Sequence, residues 1–278
     1  ASVLILFNSY VIKNDGFDYR FNKHKIGKIN LDNGYHLKER AVFLKKTKSP
    51  EFTSNKIKIL ILGNSHAEDF FNIMIQNKDL FDKYEFSIMR TGVRCLTSFF
   101  KNNSLCGTKI EESYINNFKK SDVIVLSTAW KSEDLNEKNL NSILYNLKKT
   151  GKKIILTTFA PEFEIYGKFT IIDKFILSNK RLPSKKESIA LKKEYFDSQE
   201  NNKTVKSINN FLKSIALSNN IQILEKKLYH CDFHAKECDF LTNDNKKINF
   251  DRDHYTLAGA KYLGKKIKRL NWFKLELD

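Results

Sequence analysis

Two patterns in this chain carry side chains that could act together: a serine closing an apolar run, and a histidine with a carboxylate three residues before it. The serine is Ser65, in Ile57-Lys58-Ile59-Leu60-Ile61-Leu62-Gly63-Asn64-Ser65-His66-Ala67. The apolar run is expected to be a buried strand and residues 67–76 a helix, so Ser65 falls at a strand-to-helix turn. Free N–H groups and the positive end of the helix dipole suit a developing oxyanion there, and Gly63 gives the turn backbone freedom. The same residues also describe an ordinary serine helix cap. The histidine is His254, in Asp251-Arg252-Asp253-His254, just ahead of the last helical pattern. Asp251 can orient one ring nitrogen within a short loop and leave the other to face a nucleophile. Ser65, His254 and Asp251 are therefore expected to form one connected site for acyl transfer through a serine.

Such a site needs a frame, and the chain supplies a repeating one from Lys56 onward. Apolar or β-branched runs at 57–62, 84–89, 122–127, 153–158 and 221–224 read as strands. Between and after them, residues 67–76, the set Leu140, Ile143, Leu144 and Leu147, the set Val205, Ile208, Phe211, Leu212 and Ile215, and the set Ala260, Leu263, Ile267 and Leu270 recur at helical spacing. Strand–helix alternation implies a parallel sheet covered on both faces. Residues 13–56 are polar and weakly periodic, with Asn14-Asp15-Gly16 and Asp32-Asn33-Gly34 as turn signals. They read as an extension wrapping the domain, which gives 1–55 as extension or linker and 56–278 as the catalytic domain. The apolar start, residues 1–12, is too short to span a bilayer and reads either as a packed terminal helix or as the cut end of a membrane helix.

The 278 residues are 41% apolar, which suffices for a large core and excludes disorder as the main state. Forty-nine basic against 32 acidic residues give a net charge of +17, which invites a nucleic-acid reading. The lysines, however, are dispersed as pairs (Lys45-Lys46, Lys119-Lys120, Lys148-Lys149, Lys152-Lys153, Lys192-Lys193, Lys226-Lys227, Lys246-Lys247, Lys265-Lys266), without an RNP, zinc-finger or basic-zipper signature. A solvated basic surface is expected, and no nucleic-acid partner.

With LGNSHA at 62–67, DVIVLSTAW ending at Trp130 and DRDHYTLAGA at 251–260, the chain resembles the SGNH (GDSL-like) hydrolases. More narrowly, it resembles the SGNH domain fused behind acyltransferase-3 membrane domains in bacterial polysaccharide O-acetyltransferases. The resemblance covers Lys56 to the C-terminus and, more weakly, Gly16-Phe17-Asp18-Tyr19-Arg20. It implies a three-layer α/β/α, flavodoxin-like fold, with Ser65 as nucleophile, His254 as general base and Asp251 as its orienting carboxylate. It also implies an oxyanion hole from the Ser65 N–H and the Thr91-Gly92-Val93 region. Two departures stand out. The usual Asp before the serine is Asn64, and the GxND block is replaced by Ser127-Thr128-Ala129-Trp130. Asn64, Gly92, His66 and Trp130 are expected around the nucleophile, His66 either as a supporting donor or as a structural group. His24 and His36 are expected at the surface.

The resemblance further implies an acetyl group, derived from acetyl-CoA, delivered by a membrane acyltransferase-3 domain of the same full-length chain to a glycan hydroxyl, on the periplasmic side of the inner membrane. No metal or resident cofactor is expected in this domain. Cys95, Cys106, Cys231 and Cys238 form two local pairs. The favoured reading is two disulfides, Cys95–Cys106 and Cys231–Cys238, in an oxidising compartment. Zinc held within His230-Cys231-Asp232-Phe233-His234-Ala235-Lys236-Glu237-Cys238 is the alternative. Two rival functions remain open: a glycan acetyl esterase, and a silent glycan- or nucleic-acid-binding domain.

Overall fold

The computed structural model describes residues 29–47, 51–102, 104–130 and 135–275. The apolar start, the 16–20 motif and His24 lie outside them. At the centre is a five-stranded parallel sheet: β1 (Ile57–Gly63), β2 (Tyr84–Arg90), β3 (Val123–Leu126), β4 (Lys153–Thr157) and β5 (Gln222–Leu224), in the order β2-β1-β3-β4-β5. This is the flavodoxin-like order, whose switch point between β1 and β3 opens a crevice at the carboxyl ends of the strands. All five strands lie where the apolar runs predict them.

The longer helices among the described residues are α1 (Asn33–Thr47), α2 (Ser65–Gln76), α3 (Leu96–Asn102), α4 (Glu112–Lys120), α5 (Glu137–Lys148), α6 (Ile171–Asn179), α7 (Lys185–Asn201), α8 (Lys203–Ser218) and α9 (Leu257–Arg269). Side chains alternate across a strand, and β1 divides accordingly. Leu60 and Leu62 join one core with Leu144 of α5 and Leu212 of α8, while Ile59 and Ile61 join another with Phe70 of α2 and Leu263 of α9. The three layers follow from this two-sided burial. A third apolar cluster gathers α6 and α7 around Cys231, Cys238 and Phe240.

Five of these helices, α1, α3, α4, α6 and α7, have no counterpart in the apolar periodicity. Helices α6 and α7 are started by local chemistry: Thr170/Asp173 and Ser184/Glu187 form complete capping boxes. Helix α1 packs on α2 and α9, so the polar segment before the sheet includes ordered helix. The lysine pairs are not uniformly solvated either. Lys226 and Lys247 are buried, and Lys247 donates to Asp173 at 2.8 Å with both side chains fully enclosed. The cysteines are joined as Cys95–Cys106 and Cys231–Cys238, the second bond tying paired strands of a short hairpin. Their sulfurs therefore offer no thiolate to zinc.

Candidate active site

Ser65 is placed by three contacts at the end of β1. Gly63 lies so close to β3 that a Cβ there would occupy the Ser127 carbonyl oxygen, so only glycine lets the chain turn at this point. Asn64 then caps α2, its Oδ1 accepting from the His66 N–H at 3.1 Å. The same side chain pairs with the backbone of Ala129: Oδ1 accepts the Ala129 N–H at 2.8 Å, and Nδ2 donates to the Ala129 carbonyl at 3.3 Å. A carboxylate could not make that second bond, which explains an asparagine before the serine. The Asn64 amide thus serves to position the turn. Helix α1 holds the other side, where Arg40 Nη2 donates to the Ser65 carbonyl at 2.6 Å and lies 3.3 Å from Glu68 and 3.2 Å from Asp69.

His254 arrives from a closed loop between Ile248 and Thr256. Phe250 N–H donates to the His254 carbonyl at 3.1 Å, and Thr256 N–H to the Ile248 carbonyl at 2.9 Å. Thr256 caps α9 by accepting from Gly259 N–H. A Cβ on Gly259 would overlap the Ile248 backbone, so glycine lets the helix start flush against the loop. Asp69, in the second turn of α2, accepts from the Tyr255 N–H at 3.4 Å and links the two segments.

The result brings residues 189 positions apart into contact: Ser65 Oγ lies 2.9 Å from His254 Nε2. On the other side of the ring, His254 Nδ1 lies 2.9 Å and 3.1 Å from the two Asp251 oxygens. Asp251 also accepts the backbone N–H groups of Asp253 and His254 at 3.1 and 2.8 Å. These distances match a nucleophile, a base and an orienting carboxylate. Burial alone would lower the His254 pKa, but the Asp251 and Asp253 carboxylates override it and raise the ring to about 10.

Sequence reasoning missed Asp253 and Arg40. Asp253 stands 3.2 Å from His254 Nδ1 through one oxygen and 2.7 Å from His66 Nε2 through the other. His66 is fully buried, and that burial drops its pKa to about 4. The DRDH string contained a signal for Asp253, since it holds two carboxylates near one imidazole. Nothing in the weakly periodic segment around Arg40 pointed to a buried guanidinium. His66, Asp253 and His254 offer ligand atoms within 4.8 Å of one another. The 2.7 Å between His66 and Asp253 is that of a hydrogen bond, shorter than the separation of about 3.3 Å between tetrahedral ligands held at 2.0–2.1 Å from one ion.

Three expected positions lie differently. Trp130 is fully buried and its indole N–H donates to the Thr157 carbonyl at 3.1 Å, so it stabilises the core and offers no donor to the nucleophile. His36 is buried, with Nε2 2.9 Å from the Asn30 carbonyl, and stacks on Phe250, which in turn stacks on the His254 ring. Gly92 is exposed two residues past Arg90, the β2 partner of Gly63, where the Thr91 N–H continues the ladder by donating to the Gly63 carbonyl at 2.8 Å. Ser65, Asp251 and His254 open onto a cleft of about 590 Å³ whose far wall is the α1 row Leu37, Ala41 and Leu44, with Glu68 and Arg90 beside it.

A family model described as "SGNH domain (fused to AT3 domains)" matches residues 32–269. The chain belongs to that family. Among solved structures, the SGNH domain is similar to the lipopolysaccharide acetyltransferase periplasmic domain of Salmonella ser. Paratyphi A, at 17% identity and a TM-score of 0.55 over 79% of this chain and 85% of that one. It also matches a proposed acylhydrolase from Bacteroides fragilis, at 16% identity and a TM-score of 0.42 over 81% and 91%. No curated protein matches the chain. The family model begins just before α1, so the helix bearing Arg40 falls within the matched region. Membership in the family and the observed topology together make this an SGNH hydrolase fold.

Proposed function

We propose that this domain transfers an acyl group, in the first instance acetyl, to a hydroxyl of a cell-surface glycan through an acyl-enzyme on Ser65. The observation that carries the reading is the Ser65–His254–Asp251 contact at the carboxyl ends of the strands, open to a cleft. His254 Nε2 takes the Ser65 proton as Oγ attacks the donor carbonyl, and returns it to the leaving group as the tetrahedral intermediate collapses. The Ser65 N–H faces the oxyanion in this reading; an oxyanion donor is typically worth about 3 kcal/mol. His254 then takes the proton of the glycan hydroxyl as that oxygen attacks the acyl-serine, and returns it to Ser65 Oγ as the ester bond to the serine breaks.

Membership in a family fused to AT3 domains supports a membrane acyltransferase-3 domain as the source of the acetyl group, drawn from acetyl-CoA, and an extracytoplasmic, periplasmic setting. Two disulfides suit that oxidising compartment. The Salmonella relative, a lipopolysaccharide acetyltransferase by its description, supports a glycan acceptor. In an esterase, water would take the place of the sugar hydroxyl.

The test is Ser65→Ala in the full-length protein. Glycan acetylation should fall on the order of 10⁴-fold or more, and fluorophosphonate should no longer label the chain. Wild-type domain alone should hydrolyse small acetyl esters slowly, because the site gains by holding a sugar hydroxyl in attack geometry, an advantage free water lacks. Normal glycan acetylation by the alanine variant would end the nucleophile reading. Fast hydrolysis of acetylated glycan, with no transfer, would make the domain an esterase.

A further inference from the structure

The Asp-x-x-His spacing draws attention to Asp251, yet the structure gives His254 Nδ1 a second carboxylate. Asp253 Oδ1 is 3.2 Å from that nitrogen, against 2.9 Å for the nearer Asp251 oxygen. The two differ more in surroundings than in distance. The Asp251 side chain is 35% exposed and that of Asp253 15%, so water screens the Asp253 charge less. Asp251 also divides its acceptor capacity, since Oδ1 takes the Asp253 and His254 backbone N–H groups, which shapes the loop. Asp253 is held from behind by His66 at 2.7 Å. An ionised carboxylate only accepts, so the His66 proton sits on Nε2. His66 Nδ1 is buried without a partner, which fits a neutral ring whose one N–H is committed to Asp253.

We propose that Asp253 is a second positioning residue that, together with Asp251, sets the base strength of His254, and that His66 is the neutral donor that fixes Asp253 in place. Asp251 both shapes the loop and shares Nδ1 with Asp253. This inference rests on the reading of His254 as general base. The charges around the pair come from several elements. Asp251, Arg252 and Asp253 lie in the His254 loop, and Asp69 in α2 faces His254 with Arg40 of α1 beside it. Lys226, after β5, acts on both His66 and Asp253, and Glu162, after β4, faces Asp253. The Lys226 amine is buried and lowered to about 7 by that burial.

The experiment is a nuclear magnetic resonance titration of the His254 ring in the whole domain, with fluorophosphonate labelling of Ser65 measured over the same pH range. In Asp253→Asn the His254 midpoint should move down by about 1–2 pH units, and the rising limb of Ser65 labelling should move with it. His66→Phe should shift the midpoint in the same direction, and His66→Gln, which keeps an N–H donor, should restore it. If Asp253→Asn slows labelling equally at every pH and leaves the midpoint in place, Asp253 is only structural and the proposal fails. Should that variant not fold, the His66→Phe and His66→Gln pair decides by the same criterion, and equal midpoints in both overturn it. Failure of the underlying serine reading is separate: wild-type and Ser65→Ala domains would then label alike, while the ring titration still reports on Asp253.

Discussion

A serine hydroxyl is a weak nucleophile until a base takes its proton, so the strength of His254 governs Ser65. Two carboxylates hold the imidazole with a pKa near 10, which makes it a strong base that carries its proton through neutral pH. Fluorophosphonate labelling of Ser65 should therefore keep rising above pH 7 instead of levelling near 6.5, as stopped-time labelling would show. The stability consequence has a definite sign. A folded-state pKa above the unfolded value adds stability that is full below pH 6.5 and is lost as pH rises toward 10. His66 acts oppositely: buried neutral at about 4, it costs stability as pH falls from 6.5 toward 4. Urea midpoints across pH 4–10 would show both limbs, and a flat profile would contradict them. The serine and the Asp-x-x-His loop were legible from residue types alone. Asp253 was visible as a letter but not as a partner, because its contact with His66 joins positions 187 apart.

At the scale of elements, the sheet was legible because its central strands β1, β3 and β4 each carry a β-branched, doubly buried run. Ile59 to Leu62 have no exposed surface, and no alternating pattern dilutes the signal. Helix α1 was illegible for the opposite reason. It exposes Tyr35, Leu37 and Val42 and buries the polar His36 and Arg40. Its anchor is one guanidinium against Asp69, whose burial raises its own pKa to about 6 even with Arg40 beside it. Arg40→Met should leave that carboxylate unpaired and cost about 3–5 kcal/mol, read as a lowered denaturation midpoint. It should also loosen the Ser65 carbonyl that Arg40 holds and slow labelling. A change within 0.5 kcal/mol would mean α1 is held by other contacts.

For the whole molecule, the +17 charge suggested a uniform lysine coat, and the buried Lys226 and Lys247 show why composition cannot give placement. The disulfides differ in access. Cys106 is exposed, whereas Cys231 and Cys238 lie in the third apolar cluster. Mild thiol should therefore open Cys95–Cys106 first, and full reduction should remove about 2–3 kcal/mol per closed loop. Alkylation of native protein followed by peptide mapping gives the order, and prior opening of Cys231–Cys238 would contradict it.

The pairing of Asn64 with Ala129 sets a rule of length. The nucleophile turn is stitched to the strand beside it by one amide that reads both the N–H and the carbonyl of a single residue. One residue inserted between Leu126 and Ala129 would carry that residue about 3.3–3.6 Å along the chain, farther than an asparagine side chain can follow. The tripeptide Ser127-Thr128-Ala129 is in effect a ruler: a one-residue insertion within it should lose the site, whereas a substitution of equal length at Thr128 should keep the pairing of Asn64 with Ala129.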